Sequence, residues 1–297
     1  MFVSRDPFRL PTTLRGATLV LGNFDGIHPG HQAVISAAKA VGAKTIVVTF
    51  EPHPRRLFRP DTPPFRLTPP GPKLRALQAQ GIDGVIALRF NRRLAAMSAE
   101  DFVNEILVRA LGAGHVVVGE DFCFGQSRQG NLASLRADGR FRVTGVPAIA
   151  THGTIFSSTE IRTLLSDGRP DEAARLLGHP FTIEGHVRHG DKRGRTIGFP
   201  TANIGLGSYI RPKFGVYAVR VPGVGQGVAN LGRRPTFGGF DDRLEVHLFD
   251  FSGDLYGRRL QVQLVSFLRQ EQKFDGLDAL KAQIALDAAE ARHLLAR

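Results

Sequence analysis

The stretch "ATLVLGNFDGIHPGHQAVISAAKA", Ala17 to Ala40, decides how the first half of the chain is interpreted. The apolar run "ATLVL" predicts a strand, and "HQAVISAAKA" predicts a helix. The twelve residues from Leu21 to Gln32 contain three glycines, an aspartate and two histidines. We therefore expect a tight strand-to-helix connection in which the backbone can approach a ligand closely.

The rest of the first half repeats this alternation of strand-like and helix-like segments, which predicts an α/β fold with a mostly parallel sheet. The later segments are "KTIVVTFE", "IDGVIALRF", "AEDFVNEILVRALG" and "HVVVGEDF". The region from Glu51 to Pro72 is dense in proline and is predicted to be a long loop near the strand ends. "SSTEIRTLLSDGRPDEAARLLGHP" then predicts a pair of short helices.

Near Gly178 to Phe181 the pattern of strand and helix candidates changes, and we expect a domain boundary there. Short strand candidates separated by glycine turns follow, and they predict an antiparallel barrel or sandwich. These candidates are "FTIEGHVRHG", "FGVYAVRV", "GQGVANLG", "RLEVHLFDF" and "RLQVQLVSFL". One amphipathic helix closes the chain, with Phe274, Leu277, Leu280, Ile284, Ala288, Ala291 and Leu295 at three- and four-residue steps.

Composition limits the classes of protein that this chain can belong to. It has 297 residues, and 42% of them are apolar. This length and apolar content are sufficient for two hydrophobic cores. No apolar stretch of membrane-spanning length and no signal pattern occurs at the N-terminus, so the default expectation is a cytoplasmic protein with no membrane partner. A single cysteine, Cys123, excludes an internal disulfide framework and is interpreted as a small filler residue.

The formal net charge of +12 is compatible with nucleic acid, an anionic membrane surface or small polyanionic substrates such as nucleotides. The basic residues are scattered, and aromatic residues do not interleave with them as a single-strand binding platform requires. Nucleic-acid binding is therefore the minority interpretation, and small-molecule substrates are favoured. Nothing in the sequence indicates the oligomeric state.

The turn after "ATLVL" has the features of an anion site. The start of a helix carries unpaired N–H groups and a favourable dipole, and Gly22, Gly26 and Gly30 leave the backbone accessible. His28 and His31 add donors suited to phosphoryl oxygens. The alternative is a capped turn with two surface histidines. A zinc site is not indicated, because the two histidines lack a third ligand and the usual helical spacing of four.

The pattern "HPGH", His28 to His31, resembles the signature of the nucleotidyltransferase superfamily. "FSSTEIR", Phe156 to Arg162, is similar to the superfamily's serine/threonine-rich loop, although the same residues can serve as a helix N-cap cluster. Together with "TFEPHP", "MSAEDFV" and "VVVGEDFCFG", these motifs resemble the FMN adenylyltransferase module of the prokaryotic bifunctional riboflavin kinase/FAD synthetase family. Two residues depart from that pattern, Phe156 and Asn131.

The second half resembles the riboflavin kinase domain of the same family, through "RGRTIGFPTANI", "FGVYA", "GVANLGRRPTF" and "LEVHLFDF". Thr201 and Asn203 alternate, so in an extended segment both face one side, where a hydroxyl and an amide oxygen can ligate Mg²⁺. The alternative is a strand start with a polar outer face. Glu245 is the only acid in "RLEVHLF" and matches the family's catalytic glutamate, which makes it the candidate general base.

The resemblance implies a Rossmann-like nucleotidyltransferase domain over residues 1–180 and a β-barrel riboflavin kinase domain with a C-terminal helix over residues 181–297. It implies that riboflavin is phosphorylated by ATP to FMN, and that FMN is adenylylated by a second ATP to FAD and pyrophosphate. A single-activity enzyme is the alternative, but it would show one damaged set of motifs, and both sets are intact.

The resemblance also assigns site residues. Those of the adenylyltransferase are Gly22, Asn23, Phe24, Asp25, Gly26, His28, His31, Ser157, Ser158, Thr159 and Arg162, with Asp121 and Phe122 on the flavin side. Those of the kinase are Gly190, Gly194, Arg195, Gly198, Pro200, Thr201, Asn203 and Glu245. Mg²⁺ is the implied metal, and ATP is the co-substrate of both reactions.

Overall fold

The structure is a computed structural model that describes residues 1–151, 154–189, 199–236 and 239–296. The chain divides into two units. The first unit contains Met1–Pro63 and Thr68–Ser157, and the second contains Pro64–Leu67 and Ser158–Arg297. No helix of the described residues is long and apolar enough to span a membrane.

The first unit is built on a six-stranded sheet whose neighbouring strands are all parallel, in the order β1-β4-β3-β2-β5-β6. The strands are β1 (Phe2–Ser4), β2 (Thr18–Leu21), β3 (Thr45–Glu51), β4 (Gly84–Arg89), β5 (His115–Gly119) and β6 (Arg142–Val146). A small antiparallel pair, β7 (Ala150–Thr151) and β8 (Thr154–Ile155), follows. The predicted parallel sheet is confirmed, and β1 and β6 add an edge strand on each side that the sequence pattern did not indicate.

Helices cover both faces of this sheet, which explains why its central strands are apolar throughout rather than alternating. Leu19 and Val48 pack with the π-helix residue Leu107 on one face, and Val20 and Val47 pack with helix residues on the other. The helices are α1 (Pro29–Ala40), α2 (Pro54–Phe58), α3 (Pro70–Ala79), α4 (Arg92–Ala95), α5 (Ala99–Asp101), the π-helix Phe102–Ala110 and α6 (Leu132–Asp138).

The proline-rich region from Glu51 to Pro72 is not a continuous loop, as the sequence had predicted. It contains α2 and the first residues of α3. Pro54 and Pro70 each occupy the first turn of a helix, where an absent N–H removes no intrahelical hydrogen bond and the fixed φ angle suits the helix. Proline therefore begins helices here instead of preventing them.

The second unit contains a closed six-stranded antiparallel barrel in the order β10-β13-β12-β11-β14-β9. Its strands are β9 (Phe181–Arg188), β10 (Ala202–Gly205), β11 (Gly215–Val221), β12 (Gly225–Thr236), β13 (Gly239–Leu248) and β14 (Arg259–Arg269). The sequence left a barrel and a sandwich open. The barrel closes because β9 pairs with both β14 and β10.

Helices α7 (Ser158–Ser166), α8 (Pro170–Leu177) and α9 (Leu277–Leu295) complete the second unit. Helix α8 packs against β9 and β14 and buries Leu176 and Leu177. The short segment Pro64–Leu67 also belongs to this unit, since the Arg66 N–H donates to the Ser208 carbonyl and the Ile210 N–H donates to the Arg66 carbonyl. The sequence pattern did not indicate this pairing.

Helix α9 is the amphipathic helix that the sequence predicted, but its contact face is shorter. Ala291 and Leu295 join a cluster with Val216 and Val228 of the barrel. Leu277, which the periodicity places on the same face, is 53% exposed. The prediction for Leu277 is wrong because the residues that α9 buries all lie in its C-terminal half.

Candidate active sites

The connection from β2 to α1 holds the first candidate site. Helix α1 begins at Pro29, with His28 at the N-cap and His31 in the first turn, two residues earlier than the predicted helix "HQAVISAAKA". The chain before it is unusual, because Phe24 (φ 51°) and Ile27 (φ 45°) are non-glycine residues in the left-handed region, and Gly26 lies there too, at φ 94°. Such backbone is strained in side-chain-bearing residues and is concentrated at functional sites.

The two histidines lie in direct contact. The rings of His28 and His31 stack with their centroids 3.7 Å apart, and the Phe24 ring lies 5.3 Å from His31. His28 is only 6% exposed, so it is not a surface histidine. A Cβ atom on Gly30 would lie 3.2 Å from the His28 ring and 3.6 Å from the Phe156 Cβ, which shows how closely the turn is packed.

Sheet topology places this turn at a position where α/β proteins bind ligands. The strand order reverses between β2 and β5, and a crevice forms at the carboxyl ends of two such strands. The β2 end leads into Gly22, and the β5 end leads into Asp121 and Phe122. Asp121 is exposed, and the half-buried Phe122 stacks on Phe124 at 5.9 Å. The sheet thus brings the predicted phosphate turn and the predicted flavin-side residues to the same edge.

A buried polar network of Lys73, Glu51 and Thr49 holds the backbone of this turn. The Lys73 ammonium of α3 lies 2.7 Å from Glu51 Oε1, and it donates to the Asn23 carbonyl and to Thr49 Oγ1, each at 3.2 Å. Thr49 Oγ1 also donates to the Asn23 carbonyl at 3.2 Å. Sequence reasoning missed Lys73 and Glu51, because the motif "TFEPHP" indicated a family and not a contact with a helix formed later in the chain.

Asp25 also holds the turn. It is buried, and its Oδ1 accepts the N–H of Thr68 at 2.9 Å, while the Gly26 N–H donates to Thr68 Oγ1 at 3.2 Å. Oδ1 of Asp25, a residue predicted to bind the nucleotide, therefore accepts a hydrogen bond from the protein itself. Across the described chain, no group of three or more His, Cys, Asp or Glu side chains is arranged to hold a metal ion.

The "SSTEIR" residues lie at the division between the two units. Ser157 ends the first unit, and α7 begins at Ser158 in the second. Within the second unit, Arg162 Nε donates to the Phe65 carbonyl at 2.9 Å, and its guanidinium lies 5.7 Å from the centroid of the Phe65 ring. The assignment of Ser157, Ser158, Thr159 and Arg162 to the nucleotide site stays a prediction.

The two departures from the family pattern have local structural contacts. Asn131 is the N-cap of α6 and forms a reciprocal capping box with Ser134, in which each side chain accepts the other residue's N–H. The Phe156 N–H donates to the Ile149 carbonyl at 3.1 Å. A capping residue stabilises a helix start by about 1 kcal/mol, so Asn131 is accounted for without a ligand contact.

The second candidate site lies on the barrel. Antiparallel register places Asn203 of β10 opposite Glu245 of β13, and Glu245 opposite Asn230 of β12. Residues directly opposite one another share a face of the sheet, so three polar side chains form a row across three strands. Leu244 and Val246, on either side of Glu245, are buried, as the alternation predicted.

A pocket of about 420 Å³ lies beside this row. Thr201 and Asn203 both line it, as does Ala202 between them, whereas Glu245 is not among its lining residues. Asn203 is itself buried, and the Pro200 carbonyl accepts a hydrogen bond from His247 Nδ1 at 3.0 Å. Four further residues of the predicted kinase site, Gly190, Gly194, Arg195 and Gly198, lie outside the described residues.

Glu245 is not the only acid of its strand, contrary to the expectation from "RLEVHLF". Strand β13 begins at Gly239 and includes Asp241 and Asp242. Asp242 contacts Arg211 at 2.7 Å and Arg233 at 3.0 Å. Burial of Asp242 raises its pKa, but the hydrogen bonds from Arg211 and Arg233 outweigh burial and leave the pKa below its usual value. Asp242 is therefore held as a carboxylate in ion pairs, which makes it a poor proton acceptor.

Asn230 is a polar neighbour of Glu245 that sequence reasoning also missed. Its Nδ2 donates to Glu271 Oε1 at 2.9 Å, which fixes the orientation of the amide. The signal that could have found it is the strand register, because Asn230 and Glu245 come together only when β12 and β13 pair.

Comparison with known proteins identifies both halves of the chain. A family model for FAD synthetase matches residues 10–160, and one for riboflavin kinase matches residues 177–295. The bifunctional riboflavin kinase/FMN adenylyltransferase of Escherichia coli (strain K12) is 46% identical over 288 residues, which are 93% of this chain and 92% of that protein. The protein of the same name from Bacillus subtilis (strain 168) is 39% identical over 291 residues, 93% of this chain and 91% of that protein.

A crystal structure from Streptococcus pneumoniae, named as a macrolide-efflux protein, is 32% identical and superposes with a TM-score of 0.88 over 98% of each chain. Its fold is therefore the fold described above along the whole length. The two family matches together cover most of the chain, and the curated relatives are matched over more than nine-tenths of their length. The chain belongs to the bifunctional riboflavin kinase/FMN adenylyltransferase family of bacteria.

Proposed function

We propose that this chain makes FAD from riboflavin in two steps, with the kinase site on the barrel and the adenylyl-transfer site at the β2 to α1 turn. The observation that carries the proposal is the reversal of strand order between β2 and β5, which sets the stacked His28 and His31 and the flavin-side residues at one sheet edge. The net charge of +12 suits substrates that are phosphorylated or become so.

In the adenylyl transfer, a phosphate oxygen of FMN attacks the α-phosphorus of ATP, and the bond from that phosphorus to the bridging oxygen breaks to release pyrophosphate. The nucleophile is already an anion, so the site needs no strong base. It needs donors that orient the phosphates and stabilise the charge of the transition state. His28, His31 and the backbone of Gly22 to Gly26 are such donors.

In the kinase reaction, Glu245 accepts the proton of the 5′-hydroxyl of riboflavin while that oxygen attacks the γ-phosphorus of ATP and ADP leaves. Asn203 and Asn230 flank Glu245 in the strand register and can orient the hydroxyl. Thr201 and Asn203 fit a Mg²⁺ ion, because both residues line the same pocket and their side chains carry the oxygen ligands that suit that ion. Bound there, Mg²⁺ would offset the charge of the triphosphate.

We also propose that the substrates are small molecules in the cytoplasm, and that neither nucleic acid nor a membrane is a partner. The basic residues are distributed along the chain rather than gathered in one run, which supports this part of the proposal. Retention of the protein on immobilised DNA at physiological ionic strength would contradict it.

A crossed test examines both sites in one assay, in which the protein is given riboflavin, ATP and Mg²⁺ and the flavins are separated by chromatography. Replacing His28 and His31 together by alanine removes donors that each contribute about a hundredfold in rate. That variant should form FMN at near the parent rate and then accumulate it. Glu245→Gln should block riboflavin phosphorylation and still convert added FMN to FAD.

The two variants serve as controls for each other, since each should keep the activity that the other loses. If the folded histidine variant makes FAD at the parent rate, the β2 to α1 turn is not the adenylyl-transfer site. If the Glu245 variant phosphorylates riboflavin normally, the general base lies elsewhere.

A further inference from the structure

We propose that Lys73 is a positioning residue for adenylyl transfer. It fixes the peptide between Asn23 and Phe24 in the β2 to α1 turn. In this role it never touches a substrate. It holds the Asn23 carbonyl inward, so that the N–H of Phe24 is presented on the opposite side, to a phosphate oxygen. This inference rests on the proposed assignment of the turn to the adenylyl-transfer site.

The contacts of the Lys73 ammonium include Glu51 Oε1 at 2.7 Å, and the Asn23 carbonyl and Thr49 Oγ1 at 3.2 Å each. The side chains of Lys73 and Glu51 are 4% and 11% exposed. The ammonium therefore has a fixed position, from which it donates to one backbone atom of the turn.

Stability alone is a weak reason for this ion pair. Removing two charges from water carries a desolvation cost that their attraction often fails to recover, and apolar residues of similar volume stabilise many proteins equally well. A buried pair that also donates to the backbone of a strained turn is better explained by the conformation that it fixes. In this turn the conformation is that of Asn23 and Phe24.

Peptide geometry connects Lys73 to the far side of the turn. The Asn23 carbonyl accepts hydrogen bonds from both Lys73 and Thr49, and the peptide that follows it is trans. In a trans peptide the C=O and the next N–H point in opposite directions. The N–H of Phe24 therefore points away from the Lys73 network.

No hydrogen bond from that N–H to another described residue is found. In native proteins backbone N–H groups almost always have an acceptor, in the protein itself, in water or in a ligand. Phe24 also has a φ angle of 51°, which a phenylalanine adopts only when its surroundings enforce it. An acceptor supplied by a substrate would account for both features.

The test uses the full-length protein and four changes. Lys73→Met removes the donor, Lys73→Arg keeps one, and Lys73→Met with Glu51→Gln removes the donor without leaving a buried charge. Lys44→Met is the matched control, since Lys44 pairs with Asp83 at 2.9 Å beside the other end of β3. For each protein we would measure kcat and the KM for ATP in FMN adenylylation, the rate of riboflavin phosphorylation, and the thermal midpoint.

Lys73→Met should lower kcat for FMN adenylylation by about tenfold to a hundredfold, the cost of disturbing one donor to developing charge. The KM for ATP should change less than kcat, and riboflavin phosphorylation should stay at the parent rate. The double variant should regain the thermal midpoint but not kcat, whereas Lys73→Arg should regain much of kcat. Lys44→Met should leave both activities unchanged.

A purely structural role for Lys73 predicts a different outcome. If the double variant recovers kcat together with the midpoint, or if Lys73→Met lowers only the midpoint, the proposal is wrong. Should Lys73→Met fail to fold, the double variant with Glu51→Gln decides the question, because it removes the donor to the Asn23 carbonyl without leaving a buried charge. A folded double variant with parent kcat would overturn the proposal.

The His28 and His31 variant separates this inference from the site assignment on which it rests. If that variant accumulates FMN while the Lys73 variants keep the parent kcat, only the role of Lys73 is wrong. If it makes FAD normally, the turn itself was misassigned.

Discussion

His115 is a buried histidine at the first position of β5, at the amino edge of the sheet and away from the candidate turn. Its Nε2 lies 2.9 Å from Thr144 Oγ1. Burial lowers its pKa, and the positive charge of Arg142 lowers it further, so the folded protein favours the neutral ring. An unfolded chain has no such restriction, which makes this one residue a source of pH-dependent stability.

We expect His115→Gln to weaken the pH dependence of unfolding. Because the folded pKa is depressed, the unfolded state binds a proton first as the pH falls below about 6.5, and stability is lost below that value. Glutamine keeps a polar side chain at this position and does not titrate. Urea unfolding at about pH 5 and about pH 7.5 should show a smaller decrease in unfolding free energy for the variant than for the parent. Equal decreases would contradict this account.

At the scale of a strand, β12 carries Asn230, one of the three polar residues that form a row across the barrel with Glu245. It pairs with β13 from Gly227 to Thr236 and so fixes the register that brings Asn230 to Glu245. Gly227 lies close to its partner strand, where a Cβ atom would be 2.0 Å from the His247 carbonyl oxygen. Gly225, two residues earlier in β12, has open space around the same position.

Gly227→Ala should therefore force β12 and β13 apart, with a cost of about 1 to 3 kcal/mol in unfolding free energy, as for other overpacked sites. Riboflavin phosphorylation should fall with it, while conversion of added FMN to FAD persists. Gly225→Ala is the matched control and should be neutral or slightly stabilising. Chemical unfolding and the two activity assays measure both effects. Equal stability of the two variants would show that the strand pair can relax.

The elements that could be predicted from the sequence are those whose signal is local. Strands β2, β3 and β5 are continuous apolar runs, and α1 follows a glycine turn, so their types were predictable. Strand β1 has only three residues, too few for a periodicity, and the choice of barrel over sandwich depends on β9 pairing at both edges.

The same limit applies to the sites. His28 and His31 lie within four residues of each other, and Thr201 and Asn203 within three, so a motif could indicate each pair. Lys73 contacts the carbonyl of Asn23, and Asn230 pairs with Glu245, only after separate elements have packed. Those contacts depend on tertiary structure, and the spacing of the residues along the sequence does not indicate them.

For the whole molecule, the position of α7 and α8 bears on where the two activities can be separated. The sequence predicts a boundary near Gly178 to Phe181, and the second unit begins with α7 at Ser158. Helix α8 buries Leu176 and Leu177, whose full burial contributes about 1.5 to 3 kcal/mol each. We propose that a kinase fragment is more stable when it retains both helices.

A fragment of residues 158–297 should resist urea better than one of residues 181–297, with a difference of at least about 3 kcal/mol from the two leucines. Both fragments should form FMN from riboflavin, and neither should form FAD. Urea unfolding followed by circular dichroism, with the flavin assay, compares them. Identical unfolding curves would mean that the helices belong energetically to the first half of the chain.

The segment Pro64–Leu67 gives the second unit a particular order of assembly during translation. Its hydrogen bonds run from Arg66 to Ser208 and Ile210. A ribosome makes residues 64–67 early, then the rest of the first unit, and reaches the barrel residues much later. The nascent chain must therefore keep this segment accessible while the sheet around β2 and β3 forms. These hydrogen bonds form only after both pieces of chain have been made, and a fragment that begins at residue 158 lacks them.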